Sequence, residues 1–268
     1  MHAMERINRR TWSDPLVLRD YQRGDDGYLN AGERAALDLA AAGSRELRVL
    51  DIGVGAGRTA SLFRARAASY LGVDYTPQMV DLSRAAHPDL AFAEMDARDL
   101  GALETGAFDL VFFSYNGIDS VDPAGRAAAF ASAQRVLAPG GAFVFSTFNR
   151  DWQGFTRRID YRRFQFTANP VRLGLRLGLY VTRSAIGLWR KYRNAAFEHR
   201  GDHTIVLHGA HDFGILVYAT TTDQARRQLT DAGFAPDCQF LDIDGKPLES
   251  GASAKDEYFY VVARKPEA

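Results

Sequence analysis

Residues 49–59, Val49-Leu50-Asp51-Ile52-Gly53-Val54-Gly55-Ala56-Gly57-Arg58-Thr59, decide the fold of this chain. The apolar residues around Asp51 predict a buried strand, three glycines follow at two-residue spacing, and a helix is expected next. Side chains at the glycine positions would block a ligand, whereas bare backbone lets a nucleotide-like cofactor lie against the turn. Dinucleotide sites use G-x-G-x-x-G, and this turn reads D-x-G-x-G-x-G, so the turn alone does not identify the ligand.

Further strands follow at regular spacing. Residues 70–75 predict a second strand that ends in Asp74, an acid placed to accept hydrogen bonds from both hydroxyls of a ribose. Asp96 stands where a third strand should end, positioned to accept from an exocyclic adenine amine. Residues 108–114 predict an apolar fourth strand, and a Pro-Gly-Gly turn at 139–141 leads into a fifth. Strands that alternate with helices predict a parallel sheet covered on both faces, with ligands beyond the carboxyl ends of the strands.

In this order and spacing the motifs resemble those of the class I S-adenosylmethionine-dependent methyltransferases, closely over residues 45–148 and more loosely over 221–264. The resemblance implies an α/β, doubly wound, Rossmann-like fold with a seven-stranded, mostly parallel sheet, helices on both faces and an inserted lid. The alternative is a nicotinamide-binding Rossmann domain, whose glycine turn and ribose acid look similar. The segment RVLAPGG at 135–141 and the missing G-x-G-x-x-G count against that alternative.

The resemblance also implies roles for individual residues. Asp51 and the three glycines would line the methionine part of S-adenosylmethionine, Asp74 would bind the ribose, and the adenine would lie between Tyr75 and Met79. Asp96 and the backbone N–H of Ala97 would contact the adenine edge. The full set of predicted cofactor-binding residues is Tyr21, Asp51, Gly53, Gly55, Gly57, Asp74, Tyr75, Met79, Asp96, Ala97, Ser114 and Asn116.

Two of these assignments have a structural alternative. Ser114-Tyr115-Asn116-Gly117 follows the fourth strand and faces the methyl group in the resembled fold, so Tyr115 and Asn116 would orient the acceptor or contact the cofactor amine. A tight turn chosen for backbone reasons explains the same residues. Tyr21 would touch the methionine end of the cofactor or the substrate, or it would only pack an N-terminal helix onto the core.

Composition narrows the classes further. The chain has 268 residues, 33 Lys+Arg against 33 Asp+Glu, and one cysteine, Cys238. The even balance gives no bulk attraction to nucleic acid, and a single cysteine excludes an internal disulfide and a cysteine zinc site. The sequence lacks an apolar run typical of a signal peptide or a membrane span, so we expect a cytoplasmic protein whose partner is a small-molecule substrate. Nothing in the sequence specifies the oligomeric state.

The predicted organisation is an N-terminal helical cap at 1–44, a core at 45–149 and 221–268, and an inserted lid at 150–220. From Arg150 to Arg193 the insertion has eleven basic residues against two acids. Asn169-Pro170 is typical of a helix start, although the odd-numbered apolar residues from Leu173 to Val181 also suit a strand. Three interpretations of the basic stretch stay open: a solvated helix face on a lid, a wall that attracts an anionic substrate, or a surface that docks on anionic lipid or RNA.

Four of the six histidines fall in one window, at His199, His203, His208 and His211. Imidazole is the natural base near neutral pH, and we choose His211 as the candidate catalytic base, with the adjacent Asp212 as its orienting carboxylate. Tyr115 is the second catalytic candidate, and His208 would come next. A metal cluster is the less favoured interpretation of these histidines, and we assign no metal site.

The expected reaction is methyl transfer from S-adenosylmethionine to O or N of a small, partly aromatic or lipophilic molecule, with S-adenosylhomocysteine as the product. In-line transfer depends mainly on positioning, and a base is needed only when the nucleophile must lose a proton. Two alternatives stay open. One is an RNA or lipid-headgroup methyltransferase that uses the basic insertion, and the other is a non-catalytic protein that binds the cofactor.

Overall fold

The computed structural model describes residues 3–22, 27–41, 46–156, 164, 166–249 and 255–267. Its strands are β1 (Leu47–Ile52), β2 (Ala67–Asp74), β3 (Ala91–Glu94), β4 (Phe108–Phe113), β5 (Leu137–Asn149), β6 (His199–Arg200), β7 (Thr204–His208), β8 (Ile215–Thr220), β9 (Gln239–Leu241) and β10 (Tyr258–Arg264). Its helices are α1 (Ala3–Trp12), α2 (Pro15–Gln22), α3 (Ala31–Ala41), α4 (Ala60–Arg64), α5 (Pro77–Ala86), α6 (Pro123–Val136), α7 (Pro170–Asn194), the single turn α8 (Ala210–Phe213) and α9 (Thr222–Asp231).

The central sheet has the mostly parallel order that the sequence predicts. Strands β3, β2, β1, β4 and β5 run side by side in parallel, and β10 pairs antiparallel with both β5 and β9. These are the seven predicted strands. The strands β6, β7 and β8 of the insertion enlarge the sheet to ten, because β8 pairs with Phe148 and Asn149 at the end of β5. The sequence does not predict this extension.

Both faces of the sheet are covered, as in a doubly wound fold. Alternating side chains of β1 point to opposite faces, so Val49 packs in a cluster with Leu37 of α3, whereas Leu50 packs in a cluster with Phe130 of α6 and Leu229 of α9. Fully burying such side chains stabilises the fold by about 1.5–3 kcal/mol each. The two layers hold the carboxyl ends of β1, β2 and β4 at one edge of the sheet.

Capping residues fix where several helices begin. Asn169 accepts from the Arg172 N–H at 3.0 Å, so α7 starts where the sequence predicts. Thr221 accepts from the Gln224 N–H at 3.2 Å and caps α9 in the same way. The segment from Leu173 to Val181 is therefore helix and not strand. Asn30 likewise accepts from the Glu33 N–H at 2.9 Å. The side-chain carboxylate of Glu33 binds Arg58 of the glycine turn.

The insertion and the N-terminal helices contact each other. Asn8 of α1 both donates to and accepts from the backbone of Leu216 in β8, at 2.8 and 2.9 Å. Met4 is buried in a small apolar cluster with Leu207 and Phe213. Arg157, Arg158, Arg162 and Arg163 of the predicted basic stretch lie outside the described residues. Among the described helices none is long and apolar enough to cross a membrane, and the predicted domain boundaries stay a prediction.

Candidate functional site

The glycine turn after β1 has the backbone that only glycine adopts easily. Gly53, Gly55 and Gly57 have φ angles of +67°, +57° and +88°. A Cβ at Gly57 would lie 2.7 Å from the His87 ring, and one at Gly53 would lie 2.8 Å from the Phe113 ring. At Gly55 the nearest atoms are instead those of the Tyr21 ring, at 3.5 Å. The middle glycine therefore faces the N-terminal helices, on the side where the sequence places the cofactor.

Asp51 is a fully buried acid at the end of β1. Its Oδ2 accepts from the hydroxyls of Thr59 and Tyr70, at 2.5 and 3.0 Å. Its Oδ1 is buried and has no hydrogen-bond partner among the described residues. Burial raises the pKa of Asp51 to about 7, against the hydrogen bonds from Thr59 and Tyr70, which lower it. Such an acceptor favours a ligand that brings a donor or a positive charge.

Asp74 ends β2 beside the same turn. Its Oδ2 accepts from the Gly55 N–H at 3.1 Å and its Oδ1 from the Thr76 N–H at 2.8 Å. Burial raises its pKa to about 6, whereas these two backbone donors lower it. A carboxylate has about four acceptor positions, so two stay available for the hydroxyls of a ribose. The predicted ribose acid and the predicted methionine turn are thus in direct contact.

The predicted adenine residues lie close to α1. Arg98 donates to both oxygens of Asp96, at 2.9 and 2.6 Å, and also binds Glu5 of α1 at 2.6 Å. Burial raises the pKa of Asp96, but the hydrogen bonds from Arg98 outweigh it and hold this pKa below its ordinary value. The Arg9 guanidinium of α1 lies 5.0 Å from the centre of the Tyr75 ring. This ion-pair network was not predicted, and it leaves Asp96 ionised as a hydrogen-bond acceptor.

Two more predicted residues flank this network. Met79 is buried in α5, and Ala97 is half-buried and packs against the core beside Asp96. Their contacts with an adenine stay a prediction.

The segment after β4 combines strain with exposure. Tyr115 and Asn116 have φ angles of +53° and +58°, which side chains other than glycine adopt at a cost. The Ser146 hydroxyl accepts from the Asn116 N–H at 2.8 Å, while Asn116 Oδ1 is buried without a hydrogen-bond partner among the described residues. Tyr115 is 64% exposed and lies under the Arg58 guanidinium at 5.0 Å. Ser114 precedes them and is buried.

Tyr21 of α2 lies at the centre of these groups. Burial raises the pKa of its hydroxyl, and the charges of Asp74 and Tyr115 raise it further. Its hydroxyl therefore stays protonated at neutral pH and serves as a donor. Its contact with the Gly55 turn fits the interpretation of Tyr21 as a cofactor-binding residue. That role stays a prediction.

The candidate base His211 lies in an unusual turn. His211, Asp212 and Phe213 all have positive φ angles, between +50° and +57°. Consecutive left-handed residues store strain that persists only where the surroundings enforce it, and such strain clusters at functional sites. The His211 ring lies 5.1 Å from the Trp12 ring and 6.4 Å from the Tyr21 ring. Asp212 accepts from Arg183 of α7 at 3.0 Å, and its predicted orienting role for His211 stays a prediction.

A second imidazole has a carboxylate partner that the sequence analysis missed. His208 Nε2 lies 2.7 Å from Glu257 Oε1, and its Nδ1 accepts from the Ala210 N–H at 3.1 Å. Because Nδ1 is an acceptor, the proton of the neutral ring is on Nε2 and is donated to Glu257. Both nitrogens are engaged, which makes this pair better suited to positioning than to accepting a proton. Glu257 is 49 residues from His208 in sequence. Only its position at the start of the closing strand could have indicated this pairing.

The remaining histidines form a separate group. His199 Nε2 and His203 Nδ1 each lie 2.9 Å from the same oxygen of Asp202. These three side chains are close enough to hold a metal ion, and they lie at the β6–β7 hairpin, with His199 and Asp202 exposed. An ion pair within the hairpin explains the arrangement equally well.

The comparisons with known proteins agree with this geometry. Residues 49–141 match the family model described as a methyltransferase domain. A demethylmenaquinone methyltransferase of Beutenbergia cavernae is 34% identical over 137 residues, which cover 50% of this chain and 55% of that protein. A ubiquinone biosynthesis O-methyltransferase of Xanthomonas oryzae pv. oryzae is 34% identical over 130 residues, covering 47% of this chain and 51% of that protein. The chain thus spans about half the length of these curated relatives.

One solved structure resembles the whole chain. It is a Burkholderia thailandensis 1,6-didemethyltoxoflavin-N1-methyltransferase with bound 1,6-didemethyltoxoflavin and S-adenosylhomocysteine, at a TM-score of 0.56 and 16% identity, covering 100% of this chain and 92% of that one. At this identity the likeness shows the fold alone. Residues 49–141 are thus similar to a methyltransferase domain, and the chain shares the Rossmann-like fold of this solved methyltransferase, as the sequence predicted.

The residues present fit the cofactor of the class I methyltransferases. A ribose needs a hydrogen-bond acceptor beside a turn whose own residues carry no side chain, which Asp74 and Gly55 provide. The methionine end of the cofactor carries an ammonium group, which is a hydrogen-bond donor. The buried Oδ1 atoms of Asp51 and Asn116, at the carboxyl ends of β1 and β4, are acceptors for such a group. The sulfonium gives the molecule a further positive charge, which the two acids favour.

Proposed function

We propose that this chain is an enzyme that transfers a methyl group from S-adenosylmethionine to O or N of a small, partly aromatic or lipophilic molecule. The observation that carries the proposal is the position of Tyr21. Its ring lies against Gly55 of the glycine turn on one side and near the His211 ring on another. These contacts support a single site that contains both the predicted cofactor residues and the candidate base.

Aromatic side chains support the choice of acceptor. Trp12 and Tyr21 pack against His211, and Phe148 and Phe155 pack around His208. Apolar rings with few polar groups are typical of pockets for flat or lipophilic ligands. The curated relatives are named for demethylmenaquinone and for ubiquinone biosynthesis, which favours a quinone precursor as the first acceptor to test.

The residues divide the work of transfer as follows. S-adenosylmethionine supplies an activated methyl group and a neutral leaving group. Asp51, Asp74 and the glycine backbone would hold it, with Tyr21 of α2 against the same turn. Methyl transfer needs the nucleophile in line with the methyl carbon, which Tyr115 and Asn116 would orient. His211 would accept the proton of a hydroxyl acceptor, whereas an unprotonated amine would need no base.

The test is transfer itself. The protein is incubated with isotopically labelled S-adenosylmethionine and demethylated quinone precursors, and then with a metabolite extract, and products are identified by mass spectrometry. We expect a labelled small molecule and an equal amount of S-adenosylhomocysteine. At a cofactor concentration below saturation the Asp74→Ala variant should form much less of both products. The Asp89→Ala variant, at an exposed acid paired with Arg64, should form as much as the unchanged protein.

Two results would contradict the proposal. Cofactor binding without a labelled product from any acceptor would indicate a non-catalytic binding protein. Label recovered in RNA or in lipid headgroups, and not in small molecules, would indicate the alternative that uses the basic insertion.

A further inference from the structure

The long helix α7 has the reverse of the usual amphipathic arrangement, because much of its exposed surface is apolar. At 3.6 residues per turn, Arg183, Gly187, Arg190 and Asn194 share one side of the helix. On that side Arg183 binds Asp212, Arg190 donates to the backbone oxygen of His211, and Asn194 donates to that of Phe213. The C-terminal half of α7 is therefore fixed to the body of the protein by its polar side.

The opposite side carries large apolar residues that face outward. Leu177, Val181, Leu188 and Tyr192 recur at helical spacing and are 51% to 77% exposed. A second exposed stripe adjoins them, including Leu175 and Leu179. Contiguous apolar surface of this kind is uncommon on soluble proteins and marks a surface for docking.

The N-terminal half of α7 is mostly exposed, although Phe164 packs on Tyr180 and Arg176 donates to the Phe166 backbone oxygen. A Cβ added at Gly174 or at Gly178 would meet nothing within 4 Å. Every residue from Pro170 to Thr182 is exposed except the half-buried Leu173. More than three helical turns thus carry exposed leucines, apart from the half-buried Leu173.

The charge of α7 indicates what covers this surface. The helix contains six basic residues and no acid, and Asp160 and Glu198 are the nearest acids along the chain. Helices that lie in the plane of a membrane interface combine exposed leucines and aromatics with Lys and Arg. Trp189 and Tyr192 are 57% and 77% exposed, and such rings favour the headgroup level of a bilayer.

We propose that α7 docks this protein on a membrane surface that contains anionic lipids. Arg183 and Arg190 face Asp212 and Asp14 of the protein body, so the exposed Arg172 and Arg193 are the basic residues available to a partner. A second copy of this chain fits less well, because the same exposed arginines of two copies would add like charges to one contact. RNA would pair with the guanidinium groups but would leave the leucines in water. The inference goes beyond the proposed methyl transfer and does not depend on it.

The test is flotation of the full chain with two kinds of vesicle. One kind is phosphatidylcholine alone, and the other contains about one third phosphatidylglycerol, a fraction that gives the surface a strongly negative potential. We expect the protein to float with the anionic vesicles, to stay below with the neutral ones, and to be released by high salt. Near such a surface each basic residue strengthens binding roughly fivefold, so Arg172→Gln with Arg193→Gln should weaken it about 25-fold.

Matched variants separate the helix from general surface effects. Val181→Glu with Leu188→Glu puts acids on the outer face of α7 and should abolish flotation. The control is Leu16→Glu with Leu39→Glu, which changes two leucines of α2 and α3 that are 59% and 41% exposed, and it should float like the unchanged protein. Circular dichroism and S-adenosylhomocysteine binding should be the same in all four proteins, since none of these side chains lies at the cofactor residues.

Four outcomes would overturn the proposal. Flotation with neither vesicle would remove the lipid surface as a partner, and flotation that the α7 variant retains would assign binding to another surface. A dimer in light scattering that Val181→Glu with Leu188→Glu converts to a monomer, without vesicle binding, would show that a second copy covers the helix. Salt-sensitive binding of single-stranded RNA through α7, again without vesicle binding, would assign the surface to nucleic acid.

Discussion

Replacing Asp74 should weaken cofactor binding more than any other single change at the glycine turn. The carboxylate lies between the Gly55 and Thr76 N–H groups and has two further acceptor positions for a ribose. Hydrogen bonds to a charged group contribute about 1.5–3 kcal/mol, so Asp74→Ala should raise the dissociation constant roughly 10- to 150-fold. Equilibrium dialysis with labelled S-adenosylhomocysteine measures this constant.

The same residue predicts a pH dependence with a definite sign. Burial raises the pKa of Asp74 to about 6, so the carboxylate becomes protonated as the pH falls through that value. A protonated acid loses one acceptor position and its charge. Affinity should therefore fall below about pH 6 in the unchanged protein, and it should stay nearly level in Asp74→Asn, which is neutral throughout.

Stability needs its own control in this experiment. Asp74→Ala leaves two backbone N–H groups without their acceptor, which costs about 1–3 kcal/mol of folding stability for each buried group. Asp74→Asn keeps one acceptor oxygen and should fold better while binding as poorly. A dissociation constant that is unchanged in both folded variants would mean that Asp74 does not contact the ribose and that the assignment of the site is wrong.

Four further predictions concern stability, chemistry and mobility. Burial raises the pKa values of Asp51 and Asp119 to about 7 and about 6. Because the folded protein holds these protons more tightly than the unfolded chain, their contribution to stability is complete below about pH 4. It is lost as the pH rises through 6 to 7. Chemical unfolding at several pH values should show this loss in the free energy of unfolding. In Asp51→Asn the loss should be smaller by roughly 2–4 kcal/mol. Arg126→Met leaves the buried Asp119 without its ion-pair partner and should lower the free energy of unfolding by about 3–5 kcal/mol. The control Arg227→Met, at an exposed arginine, should lower it by less than about 0.5 kcal/mol. Equal losses in the two variants would refute the role of the pair. His211→Ala should lower turnover roughly 10²- to 10⁴-fold with a hydroxyl acceptor while cofactor affinity changes little, and full activity in a stable mutant would move the base elsewhere. In hydrogen exchange, residues 170–182 should exchange faster than β1 and β4, because α7 has few buried contacts there, and equal protection would contradict the exposed position of this helix.

Local sequence was sufficient to predict that Asp51, the glycine turn and Asp74 lie together, although their role toward a cofactor stays a prediction. Asp51, the glycines and Asp74 lie within a strand, a turn and the next strand, where short-range patterns predict both the backbone and the position of the side chain. The helix starts at Asn169 and Thr221 were predictable for the same reason, since a cap acts within three residues.

Long-range contacts could not be read from the sequence. The His208–Glu257 pair joins residues 49 positions apart, and the partners of Arg58 and Arg98 lie on the N-terminal helices. The strand β6 has two residues, too few for any period to show. Arg183 and Arg190 are seven residues apart, which places them on one side of a helix, but whether that side faces solvent or Asp212 depends on packing.

The most direct test of the central claim is which cofactor binds at the glycine turn. Calorimetric titration of the unchanged protein with S-adenosylhomocysteine, beside an identical titration with NAD, decides it. The structure predicts saturable heat at one site per chain for S-adenosylhomocysteine and none for NAD. Saturable heat for NAD together with none for S-adenosylhomocysteine would contradict the assignment of Asp51, Gly55 and Asp74 to S-adenosylmethionine.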